Sequence, residues 1–396
     1  MMTSPPSTVH RLHLTLAIGL FGSLLCTHRL WMGNRDFPLV PLLQHPFFMQ
    51  HSCDTVVFGA LLLLVFLSLW LRIAGVCAPG FVLMGVYLCL QDGARLHPWF
   101  YQQLLMYSAL AVFYCSKPTS DNVRKVSSSL QLIVVGLYFW SGVFKMNSAF
   151  WLGVYPHLTE PLVDAMPSLS PFLTVLGWCA PFLEAIGAIS LLFPRVQRAG
   201  VVGLVLMHCF ILIGIGPFGL NYNSSVWPWN GMMCLLLWQL FWNTDSDAKE
   251  IFSLRHGPLH VFLLVASVGL PALGTIGLWD RYLSFSLYSG RLPEGYISFR
   301  ANEATKLPRS LLAGARFNHE DERYRVVLND WSYQTLNTPL TPSPTVITRV
   351  ASEVCRGASI IDDLLFGLSV PEGLWSPRRK VEVYRCVDGD LLSVEH

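Results

Sequence analysis

The chain has 396 residues, of which 53% are hydrophobic and only 13% are charged. Soluble domains carry about 25% charged residues, so this composition excludes a disordered protein, a coiled coil and most soluble enzymes. The net charge of +2 comes from 27 basic and 25 acidic side chains, which provides no basic field for nucleic acid. The composition predicts an integral membrane protein in contact with lipid.

Apolar segments recur along the first 278 residues. A membrane span needs roughly 20 mostly apolar residues to cross about 30 Å of hydrocarbon. The sequence predicts nine spans, of which the third is short enough to be re-entrant or interfacial instead. In chain order they cover residues 12–26, 55–71, 77–90, 99–115, 130–151, 172–193, 199–220, 229–242 and 258–278.

Charge is concentrated in the tail of the chain. From Trp279 onward there are 14 Lys/Arg and 15 Asp/Glu, which is more than half of the total. We therefore predict a transmembrane domain over residues 1–278 and an extramembrane tail domain over 279–396. Strand patterns at 295–299 and 380–386 and a helix pattern at 345–355 predict that the tail is a small α+β domain. The predicted fold class is an all-α polytopic membrane helix bundle of about nine spans with this C-terminal domain.

The basic residues of the short loops predict the orientation. With nine spans, one side holds nine Lys/Arg and the other side four or fewer. The amino terminus is then cytoplasmic and the tail is external or lumenal, whereas the loss of one span would move the tail to the other side. Cys355 and Cys386 are the only cysteines of the tail, and an external tail would allow a disulfide between them. No Cys/His spacing predicts a metal site.

Three ionisable side chains lie inside predicted spans, where a charge costs at least about 2.5–3.5 kcal/mol. Lys145 is either a lysine that snorkels from a helix end or a desolvated base with no carboxylate close to it. Glu184 and His208 each lie about 10 residues from the turn at 194–198. This equal depth predicts a facing Glu184–His208 pair, with either a structural or a proton-relay role.

A break in the helix pattern at Gly216-Pro217 precedes three asparagines near the outer face. Asn221 and Asn230 could bind a carbonyl or quinol oxygen, and a capped turn is the alternative. We also expect Tyr138 and Trp140 to line a cavity beside Lys145 and to contact the same ligand.

The sequence YFWSGVFKMN at 138–147, followed by Phe150-Trp151, resembles a segment of the vitamin K-dependent γ-carboxylase family. The wider group is the horizontally transferred transmembrane (HTTM) domain, and Glu184, His208 and the WPWN sequence at 227–230 are similar to its later parts. The resemblance covers about residues 12–278. It implies that Lys145 is the base that deprotonates a vitamin K or menaquinol-type quinol, and it places His208 at a second catalytic position.

In that family, oxygenation of the quinol generates a strong base that removes a γ-proton from a peptide Glu, and the carbanion captures carbon dioxide. The implied partners are therefore a quinol and a protein or peptide substrate. The tail is much smaller than the lumenal region of the carboxylases, and the family resemblance supports the fold better than the reaction. The alternative function is a non-enzymatic membrane scaffold whose tail binds a partner. A transporter is less favoured, because the sequence has no inverted repeat.

Overall fold

A computed structural model describes residues 5–43, 45, 53–244, 247–358 and 363–394. The chain forms two compact units, and each is assembled from separate stretches of sequence. The first unit contains Met1–Cys26, Gly59–Val86 and His97–Arg291, and the second contains Thr27–Phe58, Tyr87–Leu96 and Leu292–His396. This division differs from the predicted boundary at Trp279, since two stretches from between the first predicted spans belong with the tail.

The chain before the tail is helical in all nine segments that were predicted as spans. The helices are α1 (Pro5–Cys26), α2 (His28–Trp31), α3 (Asp54–Leu67), α4 (Ala74–Gln91), α5 (Pro98–Tyr114), α6 (Ser120–Lys145), α7 (Tyr155–Ala165), α8 (Ser170–Ser190), α9 (Gln197–Ile215), α10 (Val226–Phe241), α11 (Ala248–Ile251), α12 (Pro258–Leu264) and α13 (Leu270–Gly274). Three of these helices were not predicted, namely the short α2 and α11 and the eleven-residue α7.

Five helices of the described chain, namely α1, α4, α6, α8 and α9, are long and apolar enough to cross a membrane, which is consistent with an integral membrane protein. Among them is the 18-residue α4, which covers the segment that we considered short enough to be re-entrant. The other predicted segments are too short to count as spans by length. They form helices of 17 residues or fewer, as in α5, or are interrupted, as in α12 and α13.

Helix α6 is the most buried of the five helices. Within its most apolar window 78% of the residues are buried, against 33% for α8 and for α9. Apolar side chains on α8 such as Phe172 and Val175 remain 63% exposed, as expected for a surface that meets lipid. Polar side chains on the face of α8 that packs on α6 are therefore shielded from hydrocarbon.

The tail forms an antiparallel sheet in the order β2-β3-β1-β4-β5-β6. Its strands are β1 (Glu294–Phe299), β2 (Arg316–Asn318), β3 (Arg323–Val327), β4 (Leu364–Pro371), β5 (Arg379–Val387) and β6 (Asp390–Ser393), and its helices are α14 (Arg309–Leu312), α15 (Leu328–Leu336) and α16 (Pro344–Gly357). The predicted strands at 295–299 and 380–386 are confirmed as β1 and β5, and the predicted helix is α16. The tail therefore contains both helices and strands, as predicted for a small α+β domain.

A disulfide joins α16 to the sheet. Cys355 at the end of α16 and Cys386 on β5 are bonded, with their Cα atoms 5.6 Å apart. Both residues are buried, at 0% and 3% exposure. The apolar residues of α16 at 346, 347, 350, 351 and 354 are buried as well, so the helix is held to the sheet by packing and by a covalent bond.

Four buried charged side chains connect the amino-terminal stretches of the second unit. Arg95 pairs with Asp54 at 2.7 Å and Arg35 pairs with Asp92 at 2.6 Å, and all four side chains are almost fully buried. The Arg95 guanidinium also lies 5.8 Å from the Trp31 ring. Arg35 and Arg95 are two of the loop charges from which the orientation is predicted, but their side chains form internal ion pairs of the second unit.

Candidate functional site

Helix α6 ends at Lys145, six residues earlier than the predicted end of this span. Asn147 ends the helix, since its amide nitrogen donates to the carbonyl of Phe144 at 2.8 Å and its amide oxygen accepts from the backbone N–H of Phe150 at 3.1 Å. Such side-chain bonds satisfy backbone groups that a helix end leaves without partners. Lys145 therefore lies in the last turn, where the helix dipole favours a cation.

Gly142 allows α8 to approach α6 closely enough for the Lys145 side chain to reach it. A Cβ atom at Gly142 would lie 2.7 Å from the backbone nitrogen of Ala185 and from the carbonyl oxygen of Pro181. Any larger residue would push the two helices apart. The Gly142 position in the YFWSGVFKMN sequence thus has a physical role, which is to bring the polar side chains of α6 and α8 together.

The central feature of this contact is an ion pair. Lys145 Nζ lies 2.7 Å from Glu184 Oε2 on α8 and donates a second hydrogen bond to Ser141 Oγ at 2.6 Å. The side chains of Lys145 and Glu184 are only 13% and 6% exposed. Ser141 was not among the predicted site residues, although its spacing of four residues from Lys145 on a helix is a signal that could have identified it.

A second polar chain lies one to two turns deeper on α6. His208 Nε2 lies 2.5 Å from the Tyr138 hydroxyl, and His208 Nδ1 lies 2.6 Å from Asn230 Oδ1. Because the Asn230 amide nitrogen donates to the carbonyl of Val226, its oxygen must accept from Nδ1–H, which leaves Nε2 to accept from Tyr138. Both ring nitrogens of His208 are therefore occupied within the protein.

These contacts correct two predictions. Glu184 pairs with Lys145 and not with His208, since both nitrogens of His208 have other partners. Lys145 also has a carboxylate at 2.7 Å, whereas the role of an isolated base required none. The physical reason is that equal depth in two neighbouring helices does not fix the direction of side chains around each helix axis, and α6 provides nearer partners for both residues.

The remaining predicted ligand-binding residues do not form one cluster. The Trp140 indole N–H donates to the carbonyl of Val268 at 3.0 Å. Asn221 is exposed, in a turn where its φ is +49°, and Asn230 is 1% exposed and bonded to His208. Of the four residues expected to bind a quinol, Tyr138 and Asn230 meet at His208, and the contacts of Trp140 and Asn221 lie elsewhere.

The described residues contain no group of three or more His, Cys, Asp and Glu side chains that could hold a metal ion. Comparison of the chain with protein-family models, with curated proteins and with solved structures gives no match. The candidate site is therefore defined by its geometry, which is a buried ion pair and a polar chain contributed by α6, α8, α9 and α10.

Proposed function

We propose that the chain is an integral membrane enzyme that acts on a lipid-soluble quinol, with the Lys145–Glu184 ion pair as its proton-transfer site. The ion pair carries this proposal. Burial of two charges is costly even when they are paired, and ionisable side chains within membrane helices commonly mark functional sites. The resemblance of residues 138–147 to the γ-carboxylases supports the same site.

In this proposal Glu184 and Lys145 have different roles. Glu184 accepts the proton of a substrate hydroxyl at a carboxylate oxygen, and Lys145 compensates the negative charge that remains on the substrate. This changes the role that the resemblance implies for Lys145, because a lysine in an ion pair is a donor without a lone pair. His208 acts as a positioning residue that fixes Tyr138 and Asn230. A bound quinol would supply reducing equivalents, and carboxylation of a peptide Glu is the finer reaction that we propose to test.

A membrane scaffold is the second candidate function. The chain from Tyr138 through His208 and Asn230 to the carbonyl of Val226 favours it, since these hydrogen bonds are complete without any ligand. In a scaffold the Lys145–Glu184 pair would only hold α6 against α8. The two candidates therefore differ in chemistry and not in fold.

Substitution of Glu184 by glutamine tests the enzymatic proposal. In lipid nanodiscs with reduced menaquinol, we expect Glu184→Gln to lower quinol turnover by about 100-fold or more, the usual effect of losing a general base. Incorporation of labelled carbon dioxide into a Glu-containing peptide should fall in parallel. Asp121→Asn is the matched control, because Asp121 forms an exposed ion pair with Lys125 on the same helix, and it should retain full turnover.

Lys145→Arg separates the two possible roles of Lys145. Arginine keeps the charge and can keep the ion pair but cannot act as a base, so we expect it to retain more turnover than Lys145→Met. Equal loss in both variants would instead favour Lys145 as the base. Wild-type protein that neither binds nor oxidises a quinol would favour the scaffold.

We also propose nine spans, with a cytoplasmic amino terminus and an external or lumenal second unit. The stretches before α3, between α4 and α5, and after α13 belong to one compact unit, so they must lie on one side of the membrane. An even number of proposed spans separates each of these stretches from the next, which agrees with this arrangement. The disulfide supports an oxidising compartment for the second unit, and the basic loops favour the opposite side.

Accessibility of single introduced cysteines tests this orientation. In a background where the exposed native cysteines are replaced by serine, a cysteine at Glu372 should react with an impermeant thiol reagent in intact cells. A cysteine at Lys117, which is exposed between α5 and α6, should react only after the membrane is permeabilised. The reverse pattern would overturn the proposed orientation, and labelling of both positions in intact cells would overturn the number of spans.

A further inference from the structure

A buried segment without regular secondary structure follows α13. Residues 280–291 form no helix or strand, although most of their side chains are buried, among them those of Arg281, Tyr282, Ser284 and Ser286. The segment is fixed to the end of α6, because the carbonyl of Ser289 accepts a hydrogen bond from the Asn147 amide at 2.9 Å. Phe285 and Tyr288 have φ angles of +58° and +56°, which bulky residues rarely adopt. Such backbone strain persists only where surrounding structure maintains it, and it is common at binding sites.

The Arg281 guanidinium in this segment is a buried cation without an acceptor. Arg281 is only 5% exposed. Its Cζ atom lies 5.3 Å from the centre of the Phe144 ring, which provides a cation–π contact but no hydrogen bond. Among the described residues, none accepts a hydrogen bond from the guanidinium and no carboxylate forms an ion pair with it. Nη1 is fully enclosed, whereas Nε and Nη2 are not. Since buried arginines are normally paired, this side chain lacks an anion.

The neighbouring charges do not supply that anion. Asp280 instead caps the turn, because its Oδ1 accepts from the backbone N–H groups of Tyr282 and Leu283 at 2.8 and 3.1 Å. Arg291 is also buried, at 7% exposure. Burial and the positive charge of Arg291 lower the pKa of Arg281 to about 10, so Arg281 still carries its charge at neutral pH. A negatively charged group bound at Arg281 would compensate this charge.

The position of Arg281 along the chain indicates the kind of anion. Ile276 and Leu278 are exposed apolar residues at the end of the last proposed span, as expected for side chains that meet lipid. Trp279 follows, and its buried indole N–H has no acceptor among the residues that the structure describes. Tryptophan is enriched at the membrane–water interface, which is the depth of phospholipid phosphates. A phosphate also offers the two acceptor oxygens that match the planar guanidinium.

We infer that Arg281 and Trp279 bind the phosphate group of an anionic phospholipid, such as phosphatidylglycerol, at the membrane surface. Both are donors that lack an acceptor, and they are two residues apart in the chain. A zwitterionic lipid is less suitable, because its choline would add a positive charge beside Arg281 and Arg291. A free phosphate ion has the same chemistry, and the experiment separates the two sources. The inference goes beyond the proposed function, because it requires no quinol.

Lipid binding to the full chain tests this site. Delipidated protein in detergent is titrated with phosphatidylglycerol, and native mass spectrometry gives the Kd of the tightest bound lipid. We expect Arg281→Gln to weaken binding about 10- to 100-fold, the effect of losing charge-assisted hydrogen bonds. Arg281→Lys keeps the charge but not the planar fork and should lose less. Arg195→Gln is the matched control, because it removes the same charge from an exposed turn between α8 and α9, and it should leave this Kd unchanged.

Competition on the wild type identifies the source of the phosphate. Phosphatidylglycerol should bind about 10-fold more tightly than phosphatidylcholine, and excess inorganic phosphate should not displace it. Displacement by inorganic phosphate would assign the site to a free ion and overturn the lipid. Equal affinity for the two lipids, or equal losses in Arg281→Gln and Arg195→Gln, would overturn the site itself. The wild-type comparisons remain decisive if a variant folds poorly, and none of them depends on quinol turnover.

Discussion

Replacing Glu184 with leucine is expected to destabilise the helical unit by about 3–5 kcal/mol, because the Lys145 ammonium would remain buried without its counter-charge. The double variant Lys145→Met/Glu184→Leu should recover most of this loss, since two apolar side chains of similar size can replace a buried ion pair at little cost. The measurement is thermal or denaturant unfolding of the purified protein in detergent, followed by a signal from the helices.

An exposed ion pair on α6, the helix that carries Lys145, is the control for this prediction. Asp121 and Lys125 lie 2.6 Å apart, with side chains 49% and 38% exposed, and Asp121→Leu should leave the unfolding transition almost unchanged. If Glu184→Leu is as stable as the wild type, the ion pair is not buried in the folded protein. The double variant also has a functional use: a stable but inactive double variant supports the enzyme, and a stable and fully functional one supports the scaffold.

Removing the disulfide should have the second large effect. Cys355 and Cys386 are separated by 31 positions in sequence, and the chain-entropy model gives about 3–4 kcal/mol for closing a loop of this length. The variant Cys355→Ser/Cys386→Ser is therefore expected to unfold its second unit at a lower denaturant concentration. A fluorophore attached to a cysteine introduced at Glu372 reports on this unit.

Cys179→Ser is the matched control, because Cys179 is a free and exposed cysteine of α8, and its loss should not change the transition. Thiol counting checks the bond itself. In unfolded but unreduced protein, Cys355 and Cys386 should not react with a thiol reagent, and they should react after reduction. Free thiols at both positions before reduction would contradict the prediction.

The helices could be predicted from the sequence because burial in lipid or in a helix bundle requires long apolar segments. All nine predicted segments are helical, although only five helices among the residues that the structure describes have the length and apolarity of a span. Helix α7 was missed for the same reason, since Pro156, Glu160 and Asp164 interrupt its apolar pattern. Two of its residues, Tyr155 and Thr159, are nevertheless buried in the helical unit, although the segment has no apolar signal.

The site could be predicted only in part. Lys145, Glu184 and His208 stand out because charges are costly in hydrocarbon. Their partners depend on the rotation of each helix about its axis and on the close contact at Gly142, neither of which follows from hydropathy. The position of Ser141 one turn before Lys145 was available in the sequence. The pairing of Glu184 with Lys145 required the packing of α6 against α8.

The second unit has a consequence for how the protein is made. Its parts leave the ribosome at three separate times, because Thr27–Phe58 and Tyr87–Leu96 are synthesised long before Leu292–His396. Arg35 and Asp92 can pair early, but the β-sheet cannot exist until the final segment has been translated. The earliest stretches of the second unit can therefore complete their packing only after the helices that separate them from the final segment have been synthesised.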